Sequence, residues 1–487
     1  MTRRGRPLLS LLLATTLIAP ALLLSPPATV AATNDTIRSF TLSGTPFAAD
    51  FAPLPQRVTI ELDLARRARV WISIRRPDGT LVKRLATGVN LASGRHSWSW
   101  SGLNKRGRTA ADGQYVARLV TENGRGRARG DRPLRKGLPP IYPSNPGAIV
   151  IAVDPGHGGR YPGAVRDGFL EKDFNLAIAL QLQEMLERAG VQVVMSRTTD
   201  RALDEPRTDH NGDGLFNRYD DDLLRTDNKN LARADAAVHV HNDANPDPAV
   251  SGTSVYINAN HTWTPQAAEL AARILQSKVA ALEAYRSPAF TPRDTGVRTG
   301  WYYYLGPYDP PFLARPSLVT SVLSESLFVS NAADLEALKR ADVRQSIAAG
   351  IYVGLAAWLN ERDWGAGYAT TAPPTESATA GSAITYHLRL TNRGNRQSEG
   401  WNLKLGAVPA VPVYDGSGAV GQPIGEIEVP DGLDPGESIV LDVPATAPAA
   451  GEWLIKADVV AGGTRFSELG IAALQLPLTT TASQVAR

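Results

Sequence analysis

From Ala148 to Trp364 the chain alternates short apolar runs with longer runs of helical period, a pattern that restricts this segment to an α/β sheet covered by helices. "AIVIAVD" reads as a buried strand. "EKDFNLAIALQLQEMLERAG" places Phe174, Ala177, Ile178, Leu182, Met185, Leu186 and Ala189 on one helical face, closed by Gly190. "VQVVMS", "AAVHVH" and "SLVTSVLSE" read as further strands. "TPQAAELAARILQSKVAALEAY" is a helix with Pro265 in its first turn, and Asn331 caps a last helix running toward Trp358.

The flanks differ in character. Residues 36–122 read as all-β: "VTIELDL" alternates Val58, Ile60, Leu62 and Leu64 with polar partners, and Asp78-Gly79 signals a hairpin. Through Trp100, Gly107, Gly113 and Tyr115 this segment resembles the small Ig-like domain of flagellar hook-scaffold proteins. Residues 123–147 are basic, rich in Gly and Pro and without periodicity, which predicts a linker. A second linker is expected at 366–380. Beyond it, 381–478 returns to β, and "LDPGES" and "TAPAAGEW" resemble the turns of an Ig-like sandwich. That C-terminal module carries no evident chemistry and reads as a spacer or wall-contacting unit. The expected fold is multidomain: a central α/β domain at 148–365 with a mostly parallel sheet covered by helices, flanked by N- and C-terminal all-β Ig-like sandwiches.

The opening 35 residues hold three arginines, an apolar run and then small residues, the pattern of a secretory signal peptide ending near Ala32. The protein is therefore expected to be secreted, with no transmembrane span once residues 1–32 are removed; the alternative reading is an uncleaved anchor, for which the run is short and interrupted by proline. Arg3, Arg4 and Arg6 account for the whole net charge of +3, leaving 48 basic and 48 acidic residues. That balance gives no sign of a nucleic-acid partner, and no oligomer is implied. Cys is absent, which excludes disulfides, thiol nucleophiles and thiolate ligands. A metal here must be held by His and carboxylates.

Four residues fit that requirement. His157 lies in "VDPGHGG" directly after a strand, His241 ends a strand, and Glu325 closes an apolar strand in "SVLSESLFVSN". Glu171 opens the helix that follows the first strand. The C-terminal edge of an open α/β sheet is where sites form. Two neutral imidazoles and one carboxylate make a zinc ligand set with a position open for water, and a further unligated carboxylate is what such a site needs as general base.

"AVDPGHGG", "LEKDFNLAIALQLQEMLERAG", "VMSRTTD", "RTDNKNLARADAAVHVHND" and "ESLFVSN" stand in the order found in zinc-dependent N-acetylmuramoyl-L-alanine amidases, which the segment from about Ile149 to Leu359 resembles. The resemblance implies one catalytic zinc held by His157, Glu171 and His241, with Glu325 as catalytic base. It implies peptidoglycan as partner and substrate, cleavage between muramic acid and L-alanine, and an extracytoplasmic place at the cell wall. Arg225 and Asn230 match an R-x₄-N helix pattern expected to pack rather than react. The chain departs from the family at His239 beside the metal strand's His241, at Thr320 where a Pro is common, and at Leu327 where a Gly is usual. His239 shares a face with His241 but sits one pleat, about 6.5–7 Å, behind it. Zn–N bonds are about 2.0–2.1 Å, so His239 is expected to be a buried neighbour that supports the site by a hydrogen bond or by packing. Two other readings remain: an amidase-like module that binds or regulates without cutting, and a zinc amide hydrolase acting on another polymer.

Between these motifs, "DHNGDGLFNRYDDD" spaces Asp209, Asn211, Asp213, Leu215, Asn217 and Asp220 as an EF-hand-type loop, which predicts a structural Ca²⁺ at 209–220. His210 is expected to point away from it. An aromatic insert between Thr291 and Pro316 offers Trp301 and Tyr303 either as a groove lining or as packing under a loop.

Overall fold

The computed structural model describes residues 36–45, 47–48, 55–141, 146–306, 315–416 and 420–482. The expected signal segment at 1–32 lies outside the described residues. The described chain separates into two compact units, the first built mainly from residues up to 135 and the second from residue 136 onward.

The second unit contains the α/β domain. Its elements are β1 (Val150–Pro155), α1 (Glu171–Arg188), β2 (Gln192–Met195), α2 (Arg218–Leu231), β3 (Ala236–Asp243), β4 (Thr253–Ile257), α3 (Thr264–Leu282), β5 (Asp294–Thr299), β6 (Ser321–Phe328), α4 (Ala332–Lys339) and α5 (Ala341–Glu361). The sheet runs β2-β1-β3-β6-β4-β5. Its first four strands are mutually parallel, as the apolar strand runs predict. β4 and β5 are parallel to each other but antiparallel to β6, so the sheet is mixed.

Alternation along the strands divides the side chains between two faces. Ile151, Val153, Val238, Val240 and Val322 enter the main core against α1, α3 and α5. Val150, Ala152 and Ala237 face the other way, where Val319 and Ala472 cover them. Ala472 belongs to the C-terminal β region, so part of the sheet face that helices cover in a doubly wound fold is covered here by the appended module.

Several boundaries differ from the sequence reading. The last helix breaks at Arg340, whose backbone turns extended (ψ 126°). Arg340 pairs with Asp342 through two bonds of 2.8 and 3.2 Å, while Asn331 caps α4 as expected. The "linker" at 123–147 begins instead as a strand, Gly126–Lys136, beside Gly113–Asn123. Its inward positions include Ala128 and Gly130, too small to reveal a period of two. The "linker" at 366–380 likewise contributes Ala366–Thr370 and Ser377–Thr379 to the C-terminal array.

That array has nine strands around its own core, and a single pairing, Gly425 with Ala445, joins the strand Gln422–Glu428 to the strand Ser438–Thr446. The first unit, described by itself, has a three-stranded sheet (Ile37–Ser43, Val58–Leu64, Gly94–Trp100) and a four-stranded sheet (Leu81–Leu91, Ala68–Arg75, Gly113–Asn123, Gly126–Lys136).

Candidate metal centre

The register of the parallel strands aligns two rows of residues at the C-terminal edge. Asp154, His239 and Leu323 stand side by side on β1, β3 and β6. One pleat further on, His241 stands beside Glu325, and Gly156 follows the end of β1. A Cβ at Gly156 would fall 2.1 Å from the imidazole of His241, so the ring occupies the space that a side chain there would fill.

His157 follows in a left-handed backbone conformation (φ 60°) between glycines. Non-glycine residues hold this conformation only where the surroundings enforce it. Two buried arginines do so. Arg225 donates to the carbonyls of Pro155 (2.8 Å) and His157 (2.7 Å) and to the carboxylates of Asp154 and Asp221. Arg197 donates to the carbonyls of Pro155 (3.0 Å), Gly156 (3.0 Å) and Lys172 (2.9 Å).

Glu171, the first residue of α1, brings the third group. Its Oε1 lies 3.1 Å from His241 Nδ1 and its Oε2 3.2 Å from His157 Nε2. Ligand atoms from His157, Glu171 and His241 all lie within 4.8 Å of one another. Glu171 also accepts from Asn175 Nδ2 (3.1 Å) and from the backbone N–H groups of Ala164 (2.9 Å) and Asn242 (3.2 Å). Burial pushes its carboxyl up, but hydrogen bonds from the two histidines outweigh this and hold it well below the usual range. A Cβ at Gly163 would meet Glu171 Oε2 at 2.4 Å, a second place where glycine leaves room for a ligand group. Burial lowers the His241 pKa, favouring the neutral ring that a metal needs.

Glu325 is buried. Burial raises its pKa well above normal, and the charges of Glu171 and Asp243 raise it further, opposed by Lys278. Its Oε2 has no hydrogen-bond partner among the described residues. Behind it, Lys278 is itself fully buried and donates to the carbonyls of Glu325 (2.9 Å) and Ser254 (3.2 Å), tying β6 to β4.

His239 is not part of the three-residue group. Its Nδ1 is 2.7 Å from Asp154 Oδ2 and its Nε2 3.1 Å from Lys229 Nζ, while its ring stacks on Tyr304 at 4.4 Å. Burial, then Lys229, pushes its pKa down to about 3, so the ring is neutral and donates from Nδ1. Tyr304 in turn lies 3.0 Å from His241 Nε2. His239 thus reaches the site indirectly, through Asp154 and Tyr304.

The acidic loop is held by hydrogen bonds of its own. Asp209 accepts from the N–H groups of Gly212, Asp213 and Gly214, and Asp213 accepts from Leu215 N–H. Asn217 is the N-cap of α2, and Asp220 completes a capping box by accepting from Asn217 N–H at 3.0 Å. Most of the loop's side-chain oxygens accept from backbone N–H groups, Asp213 Oδ2 accepts from Asn211 Nδ2 at 3.1 Å, and Asp209, Asp213 and Asp220 do not form a metal-holding group among the described residues. The D/N-rich spacing encodes turns and a helix start, and it gives no support for calcium. Arg225 and Asn230 lie on α2 as expected; Asn230 donates to Pro316 O and Tyr414 Oη. Trp301 is exposed and Tyr303 stacks on Tyr219 at 5.6 Å.

Residues 151–357 match the family model described as N-acetylmuramoyl-L-alanine amidase, and residues 54–125 match the FlgD Ig-like domain. N-acetylmuramoyl-L-alanine amidase LytC of Bacillus subtilis (strain 168) is 29% identical over 207 residues, 42% of this chain and 34% of that protein. The germination-specific N-acetylmuramoyl-L-alanine amidase of the same strain is 27% identical over 214 residues, 44% of this chain and 81% of that protein. The CwlD amidase from Clostridioides difficile, solved in complex with the GerS lipoprotein, is 25% identical with a TM-score of 0.35, over 43% of this chain and 98% of that one. The chain spans about a third of the length of LytC. Over residues 151–357 the chain is thus similar to the N-acetylmuramoyl-L-alanine amidase family, and the segment at 54–125 that precedes it is similar to the FlgD Ig-like domain.

Proposed function

We propose that this protein is a secreted, zinc-dependent hydrolase that cleaves the amide between N-acetylmuramic acid and L-alanine in peptidoglycan, in cell-wall remodelling or lysis. The observation that supports this most strongly is the meeting of His157, Glu171 and His241 beside Glu325, whose buried Oε2 has no partner among the described residues. Two imidazoles and a carboxylate suit Zn²⁺, and Gly156 and Gly163 keep the space beside them clear. Held by these three residues, the ion would polarise the scissile carbonyl and lower the pKa of a bound water to about 7.

Glu325 then carries the protons. It accepts one from the attacking water and delivers it to the leaving nitrogen of L-alanine. Its raised pKa suits a group that must hold a proton between two transfers. Lys278 acts on the backbone of this base and fixes its strand. The arginines and apolar run before Ala32 support export to the wall.

Glu325→Gln tests the assignment. The variant is expected to retain zinc, read by metal analysis, while its hydrolysis of purified peptidoglycan falls by about 10²–10⁴-fold. A variant that keeps both zinc and the wild-type rate removes Glu325 from the catalytic role.

A further inference from the structure

The balanced total charge conceals a division along the chain. Residues 36–136 hold 20 Lys and Arg against 7 Asp and Glu, whereas residues 137–487 hold 28 against 40. Part of the positive charge is gathered on one sheet face. Along the strand Ala68–Arg75, Val70, Ile72 and Ile74 enter the core, which turns Arg69, Trp71, Ser73 and Arg75 outward. Directly opposite Ser73 stand Arg84 and Arg118 on the two neighbouring strands. The strand Gly126–Lys136 adds Arg127 and Arg129, both exposed.

Trp71 lies among these cations, with the guanidinium carbons of Arg69 and Arg127 at 5.2 and 5.9 Å from its ring centre. Two carboxylates oppose the six arginines. Glu122 sits across from Arg69, and Asp131 is bonded to Arg118 (2.8 and 2.9 Å) and Arg129 (2.8 Å). Past Arg75, a concavity of about 570 Å³ carries Arg76, Lys105 and Arg106 on its wall.

The choice of cation is informative. Lysines would give a diffuse positive surface, whereas the planar arginine fork grips phosphate with paired N–H donors and also lies on aromatic rings. An indole between arginines adds a flat apolar surface for a sugar ring. We propose that this outer face binds a phosphodiester-linked glycopolymer of the cell wall, its arginines on the phosphates and Trp71 against the sugar. The choice of a wall polymer as the phosphate source rests on the amidase reading; the arginine face does not.

The test uses the full chain and purified sacculi, either carrying their phosphate polymers or stripped of them by acid, with salt raised from about 0.05 to 0.2 M. The wild-type protein is expected to be retained at least about 10-fold better on the phosphate-bearing sacculi at low salt. Combining Arg84→Ser, Arg127→Ser and Arg129→Ser, which leaves the Arg118–Asp131 pair intact, should abolish that preference. It should also make the logarithmic salt dependence shallower by about 2, at about 0.7 for each phosphate no longer neutralised. Circular dichroism and the rate on a soluble muramoyl-peptide should match the wild type. A chain that is retained through phosphate but inactive on the muramoyl-peptide would sink the amidase reading and leave this one standing. Equal retention on both kinds of sacculi, retention unaffected by the triple substitution, or stronger binding to duplex DNA than to phosphate-bearing sacculi would each overturn it.

Discussion

A methyl group at position 156 would sit 2.1 Å from the His241 ring, and one at position 163 would sit 2.4 Å from Glu171 Oε2. At the scale of single residues, the site therefore depends on atoms that are missing as much as on the ligand groups. The sequence displays His157, Glu171, His241 and Glu325 because polar residues that end apolar runs stand out. It does not display Lys278 or Arg197, whose partners are mostly backbone carbonyls distant in the chain. Lys278 carries a prediction of its own. Burial lowers its pKa from an ordinary 10.5 to about 7, so between these values the unfolded chain binds a proton that the folded chain does not. Stability then rises with pH across this window. Relative to Lys278→Met, the wild type should gain at most about 1.4 kcal/mol per pH unit between about pH 7.5 and 9 by urea unfolding. A constant difference across that range would show that Lys278 does not titrate there.

Among the elements, the loop after β1 is the critical one, since it must hold His157 at φ 60°. Arg225 on α2 grips this loop at Pro155 and His157 and anchors to Asp154. Lysine cannot reproduce that fork. Arg225→Lys should therefore weaken zinc binding by about 10–100-fold in chelator competition, with the rate per bound zinc changed much less. Unchanged zinc affinity would assign Arg225 to folding alone. Strand and helix periods made β1, α1, β3, α3 and β6 legible in advance. The calcium reading finds no support because Asx turns and a capping box use the same D/N/G residues as a metal loop, and spacing cannot tell whether their oxygens face an ion or the backbone. The strand Gly126–Lys136 was hidden by small inward residues, and β4 and β5 went unread as strands because β4 is short and β5, Asp294–Thr299, is polar and mostly exposed.

At the scale of the whole molecule, the C-terminal β array belongs to the same compact unit as the α/β domain. Asp235, fully buried just before β3, pairs with Arg362 at 2.8 Å and with Arg393 of the array at 3.2 Å, and accepts from Val150 N–H. Tyr414 of the array donates to Asp227 on α2. Thr320 supplies an N–H to Gly470 O at 3.1 Å, a bond that a proline at 320 cannot make. Asp235→Ala removes the carboxylate that two arginines share at this seam, leaving them backbone carbonyls as partners, and should cost about 3–5 kcal/mol. Unfolding probes placed in the α/β domain and in the C-terminal array should shift together; separate shifts would mean that the seam does not couple them. The central claim is tested most directly by mass spectrometry of the products released from purified sacculi by the zinc-loaded protein. Stem peptides with free L-alanine amino termini, accompanied by glycan strands bearing unsubstituted muramic acid, are the predicted result. Intact muropeptides with new sugar reducing ends, or no release at all, would contradict it.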